Sequence, residues 1–192
     1  YDHGVLQDYQ SGYYMNGQMQ YQGYYKDGQP HGEWRYYYVD GSLQEKRYYH
    51  KGLQHKLNDQ YGPDGQLVQR TRYEFGDPIE DIFYNQNMEV QEKISYINSD
   101  DEYMITRHFT NGTIMTEVSF VNGLMHGPAI TYNLKGTKVG ENTYLNGDQH
   151  GKWRVNFENG NKKIEGNSLF GNLHGAYKTY YEDGTLDGDY HY

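Results

Sequence analysis

Cysteine is missing from all 192 residues, which excludes disulfides, thiolate catalysis and cysteine-ligated zinc and leaves the redox compartment open. Long apolar runs are missing too. No stretch approaches the roughly 18 consecutive apolar residues of a helical membrane span, and mean hydropathy is −1.09. Hydrophobic residues are only 35% of the chain, too few for a thick two-layer core. Cations are scarce, with 17 Lys and Arg against 26 Asp and Glu and a formal net charge of −9. That balance disfavours nucleic acid and anionic membrane, both of which need basic patches, and suits a basic protein partner. No phosphate-binding loop, His-Glu-x-x-His or Gly-x-Ser-x-Gly is present, and no cofactor is expected.

What the chain does have is 24 tyrosines and 24 glycines. Aromatic residues reach 17%, so they must supply most of the burial. Their regular spacing argues against disorder. The clearest unit runs from Gly151 to Gly175, with Trp153, Phe157, Asn159-Gly160, Gly171 and a closing His174-Gly175. Its period of 24 residues recurs along the chain.

One glycine register is Gly17, Gly41, Gly65, Gly112, Gly136, Gly160 and Gly184, and Asn or Asp precedes six of the seven. Such pairs signal two-residue hairpin turns. A second register runs through Gly4, Gly28, Gly52, Gly76, Ser99, Gly123, Gly147 and Gly171. The third is the His-Gly pair at His31, His126, His150 and His174, with Lys56 replacing glycine after His55. From Gly65 to Gly112 is 47 residues, one short of two periods, and the missing residue falls between Gly76 and Ser99. A bulge or altered loop must absorb it, because losing one residue turns every later side chain to the other face.

These patterns predict an all-β fold: an elongated, twisted, single-layer antiparallel sheet of tandem hairpins, about 15 strands at ~4.8 Å spacing. The array is expected to cover 1–192 as one domain, irregular over 77–104, and to begin in mid-repeat. Tyr1 is not a methionine, so either an excised piece of a longer chain or a removed signal or pro-segment is expected. A two-residue turn at Asp40-Gly41 pairs Val39 with Ser42, Tyr38 with Leu43, Tyr36 with Glu45 and Trp34 with Arg47. That register puts Trp34, Tyr36, Tyr38, Leu43 and Tyr49 on a packed face. The opposite face carries Glu33, Arg35, Lys46 and a tyrosine row, Tyr13, Tyr37, Tyr61, Tyr132 and Tyr180, as a candidate recognition surface. Residues 77–104 add an acidic patch that includes Glu80, Asp81, Asp100, Asp101 and Glu102.

Gly32-Glu33-Trp34-Arg35-Tyr36-Tyr37 with Asp40-Gly41, Gly151-Lys152-Trp153 with Asn159-Gly160, and Gly175-Ala176-Tyr177 with Asp183-Gly184 resemble the bacterial variant of the MORN repeat. The resemblance covers nearly the whole chain. It implies a sheet of hairpins and, for many bacterial members, an antitoxin or immunity role. Relatives in eukaryotes act as scaffolds or are proposed to touch lipid.

Other chemistry is weaker. Histidines one repeat apart stand about 9.5 Å apart, two strands away, too far to share a metal whose ligands lie near 2 Å. Asp183 to Asp189 lacks calcium-loop spacing. The acidic patch has no companion nucleophile or base. The residues therefore favour a non-catalytic protein-binding array, and the resemblance sharpens this to an immunity or antitoxin-like protein in which the acids meet a basic toxin and anchors such as Trp34 and Tyr37 hold it. A glycan-binding or envelope-scaffold role is the alternative, and a membrane role is disfavoured.

Overall fold

Runs in which aromatic, β-branched and charged residues alternate become antiparallel strands, each joined to the next by a glycine-bearing turn. The computed structural model describes residues 7–98 and 101–192, which contain strands and turns and no α-helix. Two compact units result, Tyr1–Val90 and Gln91–Tyr192. Within each, strands pair in chain order as a meander, which meets the expectation of an all-β antiparallel array of hairpins.

The first unit holds β1 (Tyr9–Tyr13), β2 (Met19–Lys26), β3 (Gln29–Tyr37), β4 (Leu43–His50), β5 (Leu53–Gln54), β6 (Lys56–Tyr61), β7 (Leu67–Glu74) and β8 (Asp77–Tyr84). The second holds β9 (Val90–Asn98), β10 (Glu102–His108), β11 (Ile114–Val121), β12 (Leu124–Tyr132), β13 (Lys138–Leu145), β14 (Asp148–Gln149), β15 (Gly151–Asn156), β16 (Lys162–Leu169), β17 (Asn172–Leu173), β18 (Ala176–Tyr180) and β19 (Leu186–His191). Three of these pairs, β5–β6, β14–β15 and β17–β18, are halves of one strand broken at a histidine, so the 19 segments are sixteen strands.

That break is the His-Gly register. Around His55, Tyr49 pairs with Gln54 but Lys46 pairs with Asp59, so two extra residues bulge from the strand. β12 does the same, with Phe120 opposite Met125 and Val118 opposite Ala129. β8 differs: Tyr73 faces Pro78 and Arg72 faces Glu80, which leaves room for one extra residue, Ile79. The residue missing from the period is thus absorbed in this bulge, and the later side chains keep their faces.

The first turn register departs from the sequence expectation. At Asp40-Gly41 only the glycine has positive φ, +90°. Gly41 N donates to Tyr38 O at 2.9 Å and Tyr38 N to Ser42 O at 2.8 Å. This is a type I turn closed by a left-handed glycine, not a two-residue turn. The aspartate is there because Oδ1 accepts from Ser42 N at 2.8 Å. Tyr36–Glu45 and Trp34–Arg47 pair as expected, but the extra turn residue brings Leu43 opposite Tyr37 rather than Tyr38. The two-residue turns lie in the second register, where both residues take positive φ, as at Phe75 (50°) with Gly76 (105°) and Phe170 (48°) with Gly171 (81°).

The packed face centres on Trp34, 4% exposed, whose Nε1 donates to Tyr24 O at 3.2 Å. Tyr25 and Tyr49 meet its ring edge-on, with centroids at 5.1 and 6.2 Å, and Tyr21 and Tyr36 stack at 6.1 and 6.4 Å. Gly23 lies beneath it, and a Cβ there would stand 2.1 Å from the indole. Farther along, this face turns polar: Asn58, Thr71 and Asp81 are buried, each under 10% exposed. Thr71 Oγ1 donates to Asp81 Oδ1, which also accepts from Gln69 Nε2 at 3.2 Å.

Candidate recognition face

The last residue before each type I turn points to the polar face, because its neighbour toward the chain start lies on the packed face. Tyr13, Tyr37, Tyr61, Tyr132 and Tyr180 occupy this place. Each later tyrosine meets the residue 15 positions earlier. Gln22 Nε2 donates to the Tyr37 hydroxyl at 2.9 Å. Tyr132 donates to Glu117 Oε2 at 2.7 Å and Tyr180 to Glu165 Oε1 at 2.5 Å. Lys46 Nζ stands 5.7 Å from the Tyr61 ring centroid, as Lys162 Nζ does from Tyr180. The Glu117 carboxylate holds the Tyr132 phenol up to about 12, so the phenol stays a neutral donor. Lys162 and Tyr180 together hold the Glu165 carboxyl below its ordinary range.

Tyr84, His108 and Asn156 fill the same place in the other repeats. Sequence reasoning passed over them because the contraction at Ile79 moves Tyr84 one residue out of the 24-residue register, and His108 and Asn156 are not tyrosines.

Beside the tyrosines runs a cross-strand row of charges. In the first unit Gln22, Arg35, Lys46, Asp59, Arg70 and Ile82 pair in succession. In the second, Glu141, Arg154, Glu165, Lys178 and Asp189 do so. Arg70 grips Asp59 bidentately, at 2.7 and 2.9 Å. Arg154 Nη2 meets Glu141 at 3.1 Å, Lys162 meets Glu165 at 2.8 Å and Lys178 meets Asp189 at 3.3 Å.

Each unit has a concavity on this face beside the bulge. In the first, about 370 Å³ is lined by Tyr9, Gln22, Tyr24, His31, Glu33 and Arg35 among others. In the second, about 520 Å³ lies over Glu141, Arg154, Glu165 and Lys178, with Thr143, Lys152, Asn167, His174, Gly175 and Ala176 around them.

Residues 30–51, 149–168 and 173–192 match the MORN repeat variant. Those three segments are MORN repeats of this variant type. No curated protein matches it. A chain of the Photorhabdus luminescens Tc holotoxin pore is similar over 95% of this chain and 12% of its own length, at 11% identity and a TM-score of 0.29. A Bacteroides fragilis protein described as of unknown function is similar over 97% of this chain and 93% of its own, at 6% identity and a TM-score of 0.12. Neither likeness carries an argument. The MORN repeats themselves do, since they mark a repeat protein involved in binding.

The first matched MORN repeat holds Trp34 and Tyr37, which sit on opposite faces. Trp34 is buried in the aromatic cluster and is not a surface anchor. Asp81 is likewise buried, beside Thr71. Glu80 pairs across to Arg72 on the polar face of the first unit. In the second unit Asp101 is exposed and Glu102 accepts from Asn98 Nδ2 at 2.7 Å. The acids that sequence groups as one patch are thus divided between the two units. Asp100, like Ser99, Tyr1 and Gly4, lies outside the described residues.

The histidines of the MORN bulges gather in a way the period concealed. His50, at the end of β4, stands between His31 and His55, with ring centroids 5.5 and 6.0 Å away. His55 stacks on Phe75 at 4.4 Å, and His150 leans on Phe170 at 5.0 Å. These rings cover the two bulky residues held in left-handed conformation at two-residue turns.

Proposed function

We propose that the protein is a non-catalytic binding protein that holds another protein against its polar, tyrosine-bearing face. The observation that carries this reading is the row itself: Tyr37, Tyr61, Tyr132 and Tyr180 recur in register, half-exposed, each held by the residue 15 positions earlier. Tyrosine offers large, rigid contact area at low entropic cost, and side chains already held lose little freedom on binding. The net charge of −9 favours a basic partner, as for an antitoxin or immunity protein that neutralises a basic toxin. Exposed acids such as Asp101 would speed the encounter.

The test is a pull-down from the native cell with wild type and with Tyr37→Ser/Tyr61→Ser, eluted in rising salt. One basic protein retained by wild type, lost from the variant and released by salt is the expected result. Equal retention by both overturns the tyrosine face. With that partner in hand, Asp101→Lys/Glu102→Lys should slow association severalfold and weaken its salt dependence, and an unchanged on-rate removes the basic-partner reading.

A further inference from the structure

We infer that the cleft on the polar face of the second unit binds a neutral, hydroxyl-rich ligand, a short stretch of glycan chain. This site borders the tyrosine row at Glu165, which accepts from Tyr180, but its occupant does not depend on the protein-binding reading.

The comparison of equivalent places comes first. In the first unit, the position matching Asn167 and Gly175 carries Tyr48 and Lys56, and Lys56 Nζ lies 4.3 Å from the Tyr48 ring centroid. That pair covers the strand surface. In the second unit small residues replace it, and Thr143, Asn167, Gly175 and Ala176 leave a cleft of about 520 Å³ open. Ligand sites usually measure about 300–1,000 Å³.

The floor then selects the ligand. Its charges are already matched, Arg154 with Glu141 at 3.1 Å, Glu165 with Lys162 at 2.8 Å and Lys178 with Asp189 at 3.3 Å. Lys152 on the rim has no such pair among the described residues and offers one more donor, but an ionic occupant of the floor itself would have to break one of the three pairs and leave a charge unpaired. A hydroxyl both donates and accepts. It can accept from Arg154, Lys178 or the Asn167 amide and donate to Glu141 or Glu165 while every ion pair stays intact. The floor groups follow one another at strand spacing, about 4.8 Å, so successive sugar rings of a linear chain laid across the strands meet the same alternation of donor and acceptor.

The experiment is amide NMR of the full chain titrated with cellohexaose and with chitohexaose, and with an alternating Lys-Glu octapeptide as the charged competitor. One of the sugars should shift the amides of Thr143, Arg154, Asn167 and Ala176, with an affinity that 0.5 M salt leaves unchanged, about what screening does to a neutral ligand. Asn167→Tyr/Gly175→Lys, which transplants the covering pair, should weaken binding at least tenfold. The backbone accepts lysine there, since Lys56 holds φ 67° at the matching place and Gly175 has φ 75°. Unchanged amides outside the cleft report that this variant is folded, and Asn167→Tyr alone serves if it is not. No shift with either sugar, shifts elsewhere, undiminished binding by the variant, or a response to the octapeptide alone each overturns the proposal.

Discussion

Trp34 and Trp153 occupy the same place in two MORN repeats, and each lies over a glycine on a neighbouring strand, Gly23 and Gly166. Their surroundings differ. Trp34 is 4% exposed, has its Nε1 bonded to Tyr24 O and touches four tyrosines. Trp153 is only half-buried, its Nε1 has no protein partner, and Tyr177 at 6.0 Å is its aromatic neighbour. The repeat decides where a side chain points; the residues of neighbouring strands decide how much it stabilises. In a sheet whose strands touch mainly their sequence neighbours, each repeat has its own small core.

Truncation should therefore separate the two sites. Trp34→Ala removes a fully packed indole and is expected to destabilise the first unit by about 3–5 kcal/mol. Trp153→Ala should cost the second unit about 2 kcal/mol, since less contact is lost. Hydrogen exchange resolved by strand is the right measurement, because one global midpoint blends units of unequal stability. Equal losses of protection in β2–β4 and β15–β16 would show that the aromatic neighbours of Trp34 contribute nothing.

The glycines under the rings sharpen the same contrast. A Cβ at Gly23 would lie 2.1 to 2.5 Å from three indole atoms of Trp34, which four tyrosines prevent from moving. Gly23→Ala should cost about 1–3 kcal/mol, the range for overpacking. At Gly166 the nearest Trp153 atoms would be 2.6 and 2.9 Å away and the ring is less confined, so Gly166→Ala should cost about 1 kcal/mol or less. Urea unfolding followed by tryptophan fluorescence of single-tryptophan variants compares them directly.

Sequence carried the period, the pairing of Trp34 with Arg47 and the placing of the tyrosine row, because strand alternation and glycine spacing are local rules. It did not carry the turn types. Asn-Gly and Asp-Gly suit a two-residue turn, but Asp40 is used for its carboxylate, which caps Ser42 N, and the true two-residue turns hold Lys51, Phe75 and Phe170 as well as Asp27, Asn122 and Asn146. Nor did it carry the depth of burial of Asp81, which follows from Thr71 lying directly opposite. His50 escaped notice because it sits outside the His-Gly register. The cleft of the second unit was equally hidden, since it arises from what Asn167 and Gly175 lack.

The turn chemistry gives a smaller effect. Asp40→Ala removes the Oδ1 acceptor for both Ser42 N and Oγ, at 2.8 and 2.6 Å, and should destabilise the first unit, by less than either glycine substitution, because this turn is exposed to water. At one of the equivalent turns of the second unit Lys135 has no such acceptor, and Asn133 Oδ1 takes the bonds from Lys135 N and Thr137 N at 3.0 Å. Lys135→Asn should change stability by only a few tenths of a kcal/mol, because that donor is already satisfied. A large gain there would mean that the Asn133 bonds are weak in solution.

The smallest contrast is one of pH. His50 of the first unit has Leu169 at the matching place of the second. Partial desolvation, then repulsion from His31, Lys51, His55 and Lys26, holds the His50 imidazole below its ordinary value of 6.5. A depressed histidine binds fewer protons in the folded chain than in the unfolded one. Stability therefore falls as pH drops from about 6.5 through the lowered pKa. Below it both states are protonated and the loss is complete. His50→Leu gives the first unit the character of the second and should flatten this decline, leaving neutral-pH stability little changed. Exchange rates in β4 and β5 compared at pH 7 and pH 5 decide it: if the variant loses as much protection on acidification as wild type, the histidine cluster is not the acid-sensitive element of this edge.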